Sequence, residues 1–323
     1  MKHHRSPGRL LFSLPVVALM MGCAAIPSFA QDAEQQRGRN MVLKVNDGDL
    51  DLKSAADLIQ DPLDPKLGNG SVAVPSDWPA SGISDGDCSA TLIGAQVAIT
   101  AAHCVGHGAR LNIKNSGGVT FTGTCHRHPA WSRDSNMSPD VALCLMQPMA
   151  GKGLFFESLL LDPIFLRKGQ KLLLGGYGCL DLETEKRDEP PRFRIGNAFI
   201  GVEAGNLAGW PNWVRTEPAT STATSFACFG DSGGAVYFTA GIDRRGIVAI
   251  ISAADADKSK PTYKASYLAA LATPEILQFI RSWPLSSCEL HDGKPQKCKT
   301  GDGAPPKICG IDLGASKCRP LPD

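Results

Sequence analysis

Beyond the N-terminus, apolar positions gather into short runs separated by polar stretches that carry glycine and proline. Ala90–Ala101 (ATLIGAQVAITA) is rich in residues that suit a pleated, half-buried surface, with Gly94 marking a turn inside it. Val141–Met146, Lys171–Leu174, Ala235–Phe238 and Gly246–Ser252 are runs of the same kind. One later stretch has the helical period instead. Thr273 stands as its cap, Pro274 occupies the first turn, and Ile276, Leu277, Phe279 and Ile280 make an apolar face. Many short strands and one late helix predict an all-β barrel or sandwich.

The first thirty residues follow a different pattern. A basic stretch, Met1–Arg9, leads into an apolar run from Leu10 to Ile26, and Ser28-Phe29-Ala30 puts small residues at the two positions a signal peptidase reads. Pro15 and Gly22 disfavour a spanning helix, and no later run approaches the roughly 18 apolar residues a span needs. Gly22-Cys23 permits a lipoprotein signal, but Met20-Met21 is a poor approach to such a cysteine. Residues 1–30 therefore read as a signal peptide cut after Ala30, with no membrane span once it is removed. The expected location is secreted or periplasmic, an oxidising compartment. Four zones result: 1–30 the signal, 31–66 an acidic propeptide or arm, 67–285 the main domain, and 286–323 a cysteine-rich tail.

Composition narrows the function. The 323 residues are 43% hydrophobic and 20% charged, which excludes wholesale disorder. Net charge is +1; without Lys2, Arg5 and Arg9, 30 basic residues face 32 acidic ones, so nucleic acid is not an expected partner. Eleven cysteines become ten when Cys23 leaves with the signal, an even number that reads as a framework of up to five disulfides. No CxxC pair exists to make a zinc ribbon. The acidic run Asn46–Asp51 lacks the glycine and the closing glutamate of a calcium loop. No metal site is expected.

Gly230-Asp231-Ser232-Gly233-Gly234 is the most informative stretch. A serine flanked by glycines suits a tight turn whose backbone N–H groups converge where an oxyanion would form. The same pattern fits a glycine-rich turn with an incidental serine, or the elbow of an α/β-hydrolase. Serine needs a base, and His103 in TAAHC sits at the end of a strand beside a cysteine able to pin it. Asp140 opens the apolar run Val141–Met146; a carboxylate there is costly to bury unless an imidazole N–H satisfies it. The order His103, Asp140, Ser232 rules out the α/β-hydrolase, which runs serine, acid, histidine.

TAAHC, DVAL (Asp140–Leu143) and GDSGG together resemble the trypsin/chymotrypsin family of serine peptidases. Cys88 sixteen residues before Cys104, the His128-Pro129-Ala130-Trp131 stretch and Gly176-Tyr177-Gly178 extend the likeness over residues 67 to about 283. The resemblance implies two six-stranded antiparallel β-barrels of the chymotrypsin type with a C-terminal helix. It makes Ser232 the nucleophile, His103 the general base and then acid, Asp140 its orienting partner, and the N–H groups of Gly230 and Ser232 the oxyanion hole. Ser252 resembles the family serine beside the buried aspartate. A scaffold role for His128 weakens a metal reading of His126 and His128, and no cofactor is implied.

The departures bear on specificity. Ser252-Ala253-Ala254 replaces the family's Ser-Trp-Gly, so one wall of the cleft lacks its indole. Phe226 stands six positions before Ser232, where trypsin-like enzymes carry an aspartate, and Ala227 and Cys228 follow it. A pocket lined by Phe226, Ala227, Ser252 and Ala254 offers nothing to neutralise a buried cation, so small or apolar uncharged residues before the scissile bond are expected. The stretch after Leu67 resembles the family's mature start. A cut between Lys66 and Leu67 would free an amine to pair with Asp231, and another peptidase would have to make it. The disulfides implied are Cys88–Cys104, Cys125–Cys144 and Cys179–Cys228, with Cys288, Cys298, Cys309 and Cys318 pairing within the tail. The reading is a secreted endopeptidase acting on proteins or peptides; the rival is a catalytically silent binding protein on the same scaffold.

Overall fold

A computed structural model of the chain describes residues 67–289, apart from 95, 136–137, 148–155, 222, 240–244 and 257–263. The expected signal, the 31–66 arm with Lys66, and the tail cysteines Cys298, Cys309 and Cys318 lie outside the described residues, as does the side chain of Cys288.

After a short β1 (Ser71–Val72) come β2 (Ser81–Ser84), β3 (Ser89–Gly94), β4 (Val97–Thr100), β5 (Arg110–Asn115), β6 (Thr120–Arg127) and β7 (Ala142–Met146). These last six close a barrel in the order β2-β3-β4-β7-β6-β5. A second set, β8 (Lys171–Gly176), β9 (Arg194–Val202), β10 (Trp213–Thr216), β11 (Ala235–Thr239), β12 (Arg245–Ala256) and β13 (Lys264–Ala270), runs β9-β10-β13-β12-β11-β8 and is closed by pairing of β8 with β9. β1 reaches across to pair with β9. The ladders are antiparallel, and α1 (Pro274–Glu289) follows the second barrel. The fold is chymotrypsin-like: two six-stranded antiparallel barrels and a late helix.

The continuous apolar runs have a physical reason. Side chains alternate along a strand, and in the strands where the barrels meet both faces are buried. Along β4 and β7, Ala98, Ala142 and Cys144 fill the first barrel, while Val97, Ile99 and Leu143 join a layer between the barrels. From the other side Leu173, Ala235, Tyr237, Ile247 and Ile250 enter that layer, while Leu172, Leu174, Val236 and Val248 fill the second barrel. Ile276, Ile280 and Trp283 of α1 complete the shared layer. At the start of α1 the Thr273 carbonyl accepts from Leu277 N–H at 2.8 Å. Its hydroxyl is not the cap, because it donates back to the Ala270 carbonyl at 3.1 Å.

One buried ion pair ties the two halves. Arg245, at the head of β12, donates to both oxygens of Glu157 at 3.1 and 2.6 Å and to the Asp77 carbonyl at 2.7 Å. Its guanidinium lies 3.6 Å over the Trp78 ring, adding a cation–π contact. Both charges are buried. Removing one leaves the other uncompensated, so Glu157→Ala should cost about 3–5 kcal/mol of stability, read as a fall in the urea midpoint. The paired change Glu157→Leu with Arg245→Met should cost far less than the sum of the single changes, because it removes both desolvated charges.

Candidate active site

Pairing of β4 with β7 sets Thr100 opposite Ala142, so the chain leaving β4 and the chain entering β7 emerge at the same end of the first barrel. His103 follows β4 on the 3-10 turn Ala102–Cys104, and Asp140 stands just before β7. A disulfide joins Cys104 to Cys88 at the entry to β3. His103 meets Asp140 twice: its backbone N–H donates to Oδ1 at 2.9 Å, and Nδ1 lies 2.6 Å from Oδ2. An ionised carboxylate only accepts, so Nδ1 carries the proton and Nε2 remains the basic nitrogen. The Ser252 hydroxyl also donates to Asp140. Asp140 is 3% exposed. Burial pushes its carboxyl up, but the hydrogen bond and charge of His103 and the bond from Ser252 outweigh that and hold it below the ordinary carboxylate value.

Ser232 comes from the second barrel, on the loop entering β11. Its half-buried hydroxyl donates to the Ser252 carbonyl at 3.3 Å rather than to His103. Catalytic hydrogen bonds in free enzymes are often unformed in this way. Neither the Gly230 nor the Ser232 backbone N–H has a hydrogen-bond partner among the described residues. Their directions follow from the trans peptide, in which C=O and N–H point opposite ways. The Phe229 carbonyl accepts from Cys179 N–H at 2.8 Å, and the Asp231 carbonyl accepts from Gly234 N–H at 2.8 Å. With both carbonyls tied inward, both N–H groups are turned outward. The first barrel adds two ties: Ser89 N–H donates to the Ser232 carbonyl at 2.8 Å, and the Ser89 hydroxyl to the Gly230 carbonyl at 2.9 Å. Gly233 has φ +79°, and a Cβ there would lie 2.2 Å from the Ser89 carbonyl oxygen. Only glycine fits.

The Asp231 side chain is fully buried behind this loop. It accepts from Gly178 N–H at 2.7 Å and from Cys228 N–H at 2.8 Å. A Cβ on Gly176 or Gly178 would collide with the carboxylate, so those glycines make the space for it. A disulfide between Cys179 and Cys228 closes the ring of chain around it. Burial dominates: it raises the carboxyl to about 7, even though the two N–H bonds and the charges of Arg187 and Arg194 pull it down.

Along the cleft, Phe226 and Ala227 are buried. Phe226 donates its N–H to the Gly68 carbonyl at 3.0 Å, and its ring occupies the space a side chain on Gly68 would need. The Lys264 ammonium lies 5.0 Å over that ring. Ala253 pairs in register with Tyr267. Tyr267 stacks on Trp210 with centroids 4.9 Å apart, and Trp213 sits edge-on to Trp210 and donates its indole N–H to the Ser138 carbonyl. These aromatics, with Lys264, Arg187 and Ser89, lie outside the motifs. Their only signal in the sequence is residue type, because pairing across β12 and β13 is what brings Tyr267 to Ala253.

His128 uses both ring nitrogens in the scaffold. Nδ1 accepts from Ala130 N–H at 3.1 Å, which leaves the Nε2 proton to the Glu275 carbonyl at 3.3 Å. Cys88, His103 and Cys104 are close enough to suggest a metal trio, but the two sulfurs are joined to each other and offer no thiolate. The third described disulfide, Cys125–Cys144, joins partners opposite each other on β6 and β7.

The family model described as Trypsin matches residues 68–270. No curated protein matches the chain by sequence. Among solved structures it resembles neuropsin, a serine protease expressed in the limbic system of mouse brain. The identity is 18% and the TM-score 0.50, over 63% of this chain and 94% of that one. That likeness is one of fold.

The glycine seat of Asp231 gives a direct check on the loop. In Gly178→Ala the new Cβ would fall 2.4 Å from the Asp231 carboxyl carbon and 2.6 Å from its backbone nitrogen. The loop must move, and the N–H pair with it. Loss of one such donor is worth roughly 100- to 1,000-fold in kcat, so ester hydrolysis should fall by at least about 100-fold in this variant.

Proposed function

The chain belongs to the trypsin family and is a serine-type endopeptidase, and from that premise we propose that Ser232, His103 and Asp140 are its catalytic triad. Ser232 attacks the scissile carbonyl while His103 Nε2 takes the hydroxyl proton. The imidazolium so formed is stabilised by Asp140, and the tetrahedral oxyanion is received by the N–H groups of Gly230 and Ser232. His103 then returns the proton to the departing amine, and water repeats the cycle on the acyl-enzyme. The observation that carries this reading is the double contact of His103 with a buried, ionised Asp140. A catalytically silent scaffold is not favoured. Three disulfides agree with an extracellular protein, and among the described residues no helix is long and apolar enough to cross a membrane. Export by residues 1–30 is part of the proposal.

For specificity, Phe226, Ala227, Ser252 and Ala254 would line a pocket with no carboxylate among them, and the Lys264 ammonium over the Phe226 ring is paired with Asp181 at 3.8 Å. Residues such as Ala or Val before the scissile bond are preferred. On matched peptides kcat/KM should favour Ala over Lys at that position by about 100-fold or more, the cost of burying an unpaired cation. Ser232→Ala and His103→Ala should each remove most turnover, and the double change should cost little more, since the pair acts as a unit. Full turnover in Ser232→Ala would refute the assignment.

The buried Asp231 supports activation by a cut after Lys66, made by another peptidase. Leu67 is fully buried with φ +75°, a conformation that costs an L-residue roughly 1–2 kcal/mol, so freeing its amine also releases that constraint. Raising Asp231 to about 7 makes its carboxylate on the order of 4 kcal/mol less favourable in the fold than in the unfolded chain. A cation at 4 Å returns about 4 kcal/mol at an effective dielectric of 20, which is what the Leu67 amine would supply. The neutral carboxyl is favoured by the fold, so its contribution is full below the unfolded value near 4 and is lost as pH rises through about 7. The uncut Ser232→Ala protein should therefore lose stability between about pH 4 and 7 in urea melts, and adding Asp231→Asn should flatten that slope. Trace trypsin should switch on the wild-type precursor with a new N-terminus at Leu67. Full activity with residues 31–66 attached would overturn the activation scheme.

A further inference from the structure

We propose that Arg187, held by Asp87, forms a subsite on the leaving-group side of Ser232 that selects an acidic side chain at the first or second residue after the scissile bond. The inference rests on Ser232 as nucleophile and on the hole at Gly230 and Ser232. Arg187 belongs to the loop between β8 and β9. Its guanidinium carbon lies 3.6 Å from the point a Cβ on Gly230 would occupy, and the Asp87 carbonyl oxygen lies 3.1 Å from the same point. The cation is thus seated against the glycine that supplies half of the hole.

The position fixes the side of the bond. With the acyl carbon on Ser232 and its oxygen at the two N–H groups, the departing amine must take its proton from His103. The segment that leaves therefore passes His103 and its neighbour, the Cys88–Cys104 disulfide. Asp87 is the residue before Cys88, on a turn held by Asp87 N–H to the Ser84 carbonyl at 3.1 Å and Cys88 N–H to the Ser84 hydroxyl at 3.2 Å. The acyl segment runs the other way, toward Phe226 and Ser252–Ala254. An extended chain advances about 3.3 Å per residue, so only the first two residues past the bond come within reach of an arginine placed this close to Gly230.

The sign of the preferred charge follows from what is already satisfied. Arg187 Nη1 lies 3.2 Å from Asp87 Oδ2, which spends part of the anion and orients the guanidinium plane. No further hydrogen bond of Arg187 occurs among the described residues. Its remaining N–H donors keep the fixed fork that matches a carboxylate. Arg187 is 35% exposed and Asp87 72%, so the arginine is the less solvated charge and the stronger partner at contact. Phe229, 51% exposed between Cys228 and Gly230, flanks the oxyanion glycine with apolar surface.

The test uses the activated enzyme and internally quenched peptides identical up to the scissile bond, with Glu, Gln or Lys at the first or second position beyond it. A simple ester with methanol as leaving group, which never reaches the subsite, is run beside them. Wild-type enzyme should cleave the Glu peptide about 10-fold better than the Gln peptide, the value of one charge-assisted hydrogen bond, with Lys the poorest and the spread narrowing at high salt. Arg187→Glu should invert the Glu–Lys order. Should that variant fail to fold, Arg187→Gln should bring the Glu-to-Gln ratio close to one. Equal rates on Glu and Gln peptides in the wild type, a preference for Lys, or an unchanged ratio in either variant overturns the subsite. Failure to hydrolyse the ester would instead strike at the triad itself.

Discussion

The groups proposed as catalytic come from two separately closed barrels, and the apolar layer between those barrels holds them together. His103 and Asp140 ride on the ends of β4 and β7, while Ser232 rides on the approach to β11. Among the described residues no strand ladder joins the barrels across the site. What sets the spacing is the interlocking of Val97, Ile99 and Leu143 with Leu173, Tyr237 and Ile250, reinforced by α1 and by the Arg245–Glu157 pair. Interiors pack as tightly as organic crystals, so a displacement in this layer is passed directly to the proposed triad.

Ser89 crosses the same boundary with polar bonds. It belongs to the first barrel, yet its N–H and hydroxyl fix two carbonyls of the nucleophile loop, and its oxygen also accepts from Tyr177 N–H at 3.0 Å. Together with the Phe229 and Asp231 carbonyls, every neighbouring acceptor is tied inward. The proposed oxyanion hole is thus the residue of a hydrogen-bond count: it consists of the two donors left over when the loop's carbonyls are satisfied. Asp231 holds the back of that loop under electrostatic tension, since two backbone N–H groups do not compensate a buried carboxylate at neutral pH.

Charge is sparse in the cleft and correspondingly informative. An aromatic group of Trp210, Trp213 and Tyr267 stands beside Ala253, where relatives carry an indole, so apolar surface is present there from a different part of the chain. Lys264 over the Phe226 ring and Arg187 beside Gly230 are both cations, paired with Asp181 at 3.8 Å and Asp87 at 3.2 Å. In the proposed reading neither side of the scissile bond favours a basic side chain, a bias that no single motif expresses.

Strands buried on both faces were legible in the sequence because both of their side-chain sets are apolar. β3, β4, β7, β8, β11 and most of β12 fall on runs evident by eye, and the proline-led helix is equally plain. β5 and β6 were not, since Arg110, Asn112, Lys114, Thr120, Thr122 and Thr124 alternate with the inward Leu111, Ile113, Phe121 and Cys125. β9, β10 and β13 were obscured by glycine, arginine and alanine, whose burial depends on the partner strand. The proposed triad, the glycines around Ser232 and the cysteine count could be read in one dimension, because that chemistry demands particular residue types at close spacing. The sequence by itself therefore determined an all-β fold and the reaction class, and it nominated the groups proposed to react. Only the tertiary structure decided which N–H groups remain unpaired, how strongly Asp231 resists ionisation, and that Arg187 meets Gly230 and Tyr267 meets Ala253. Those are contacts between residues far apart in the chain, and their energies depend on distance and desolvation, which the order of residues does not encode.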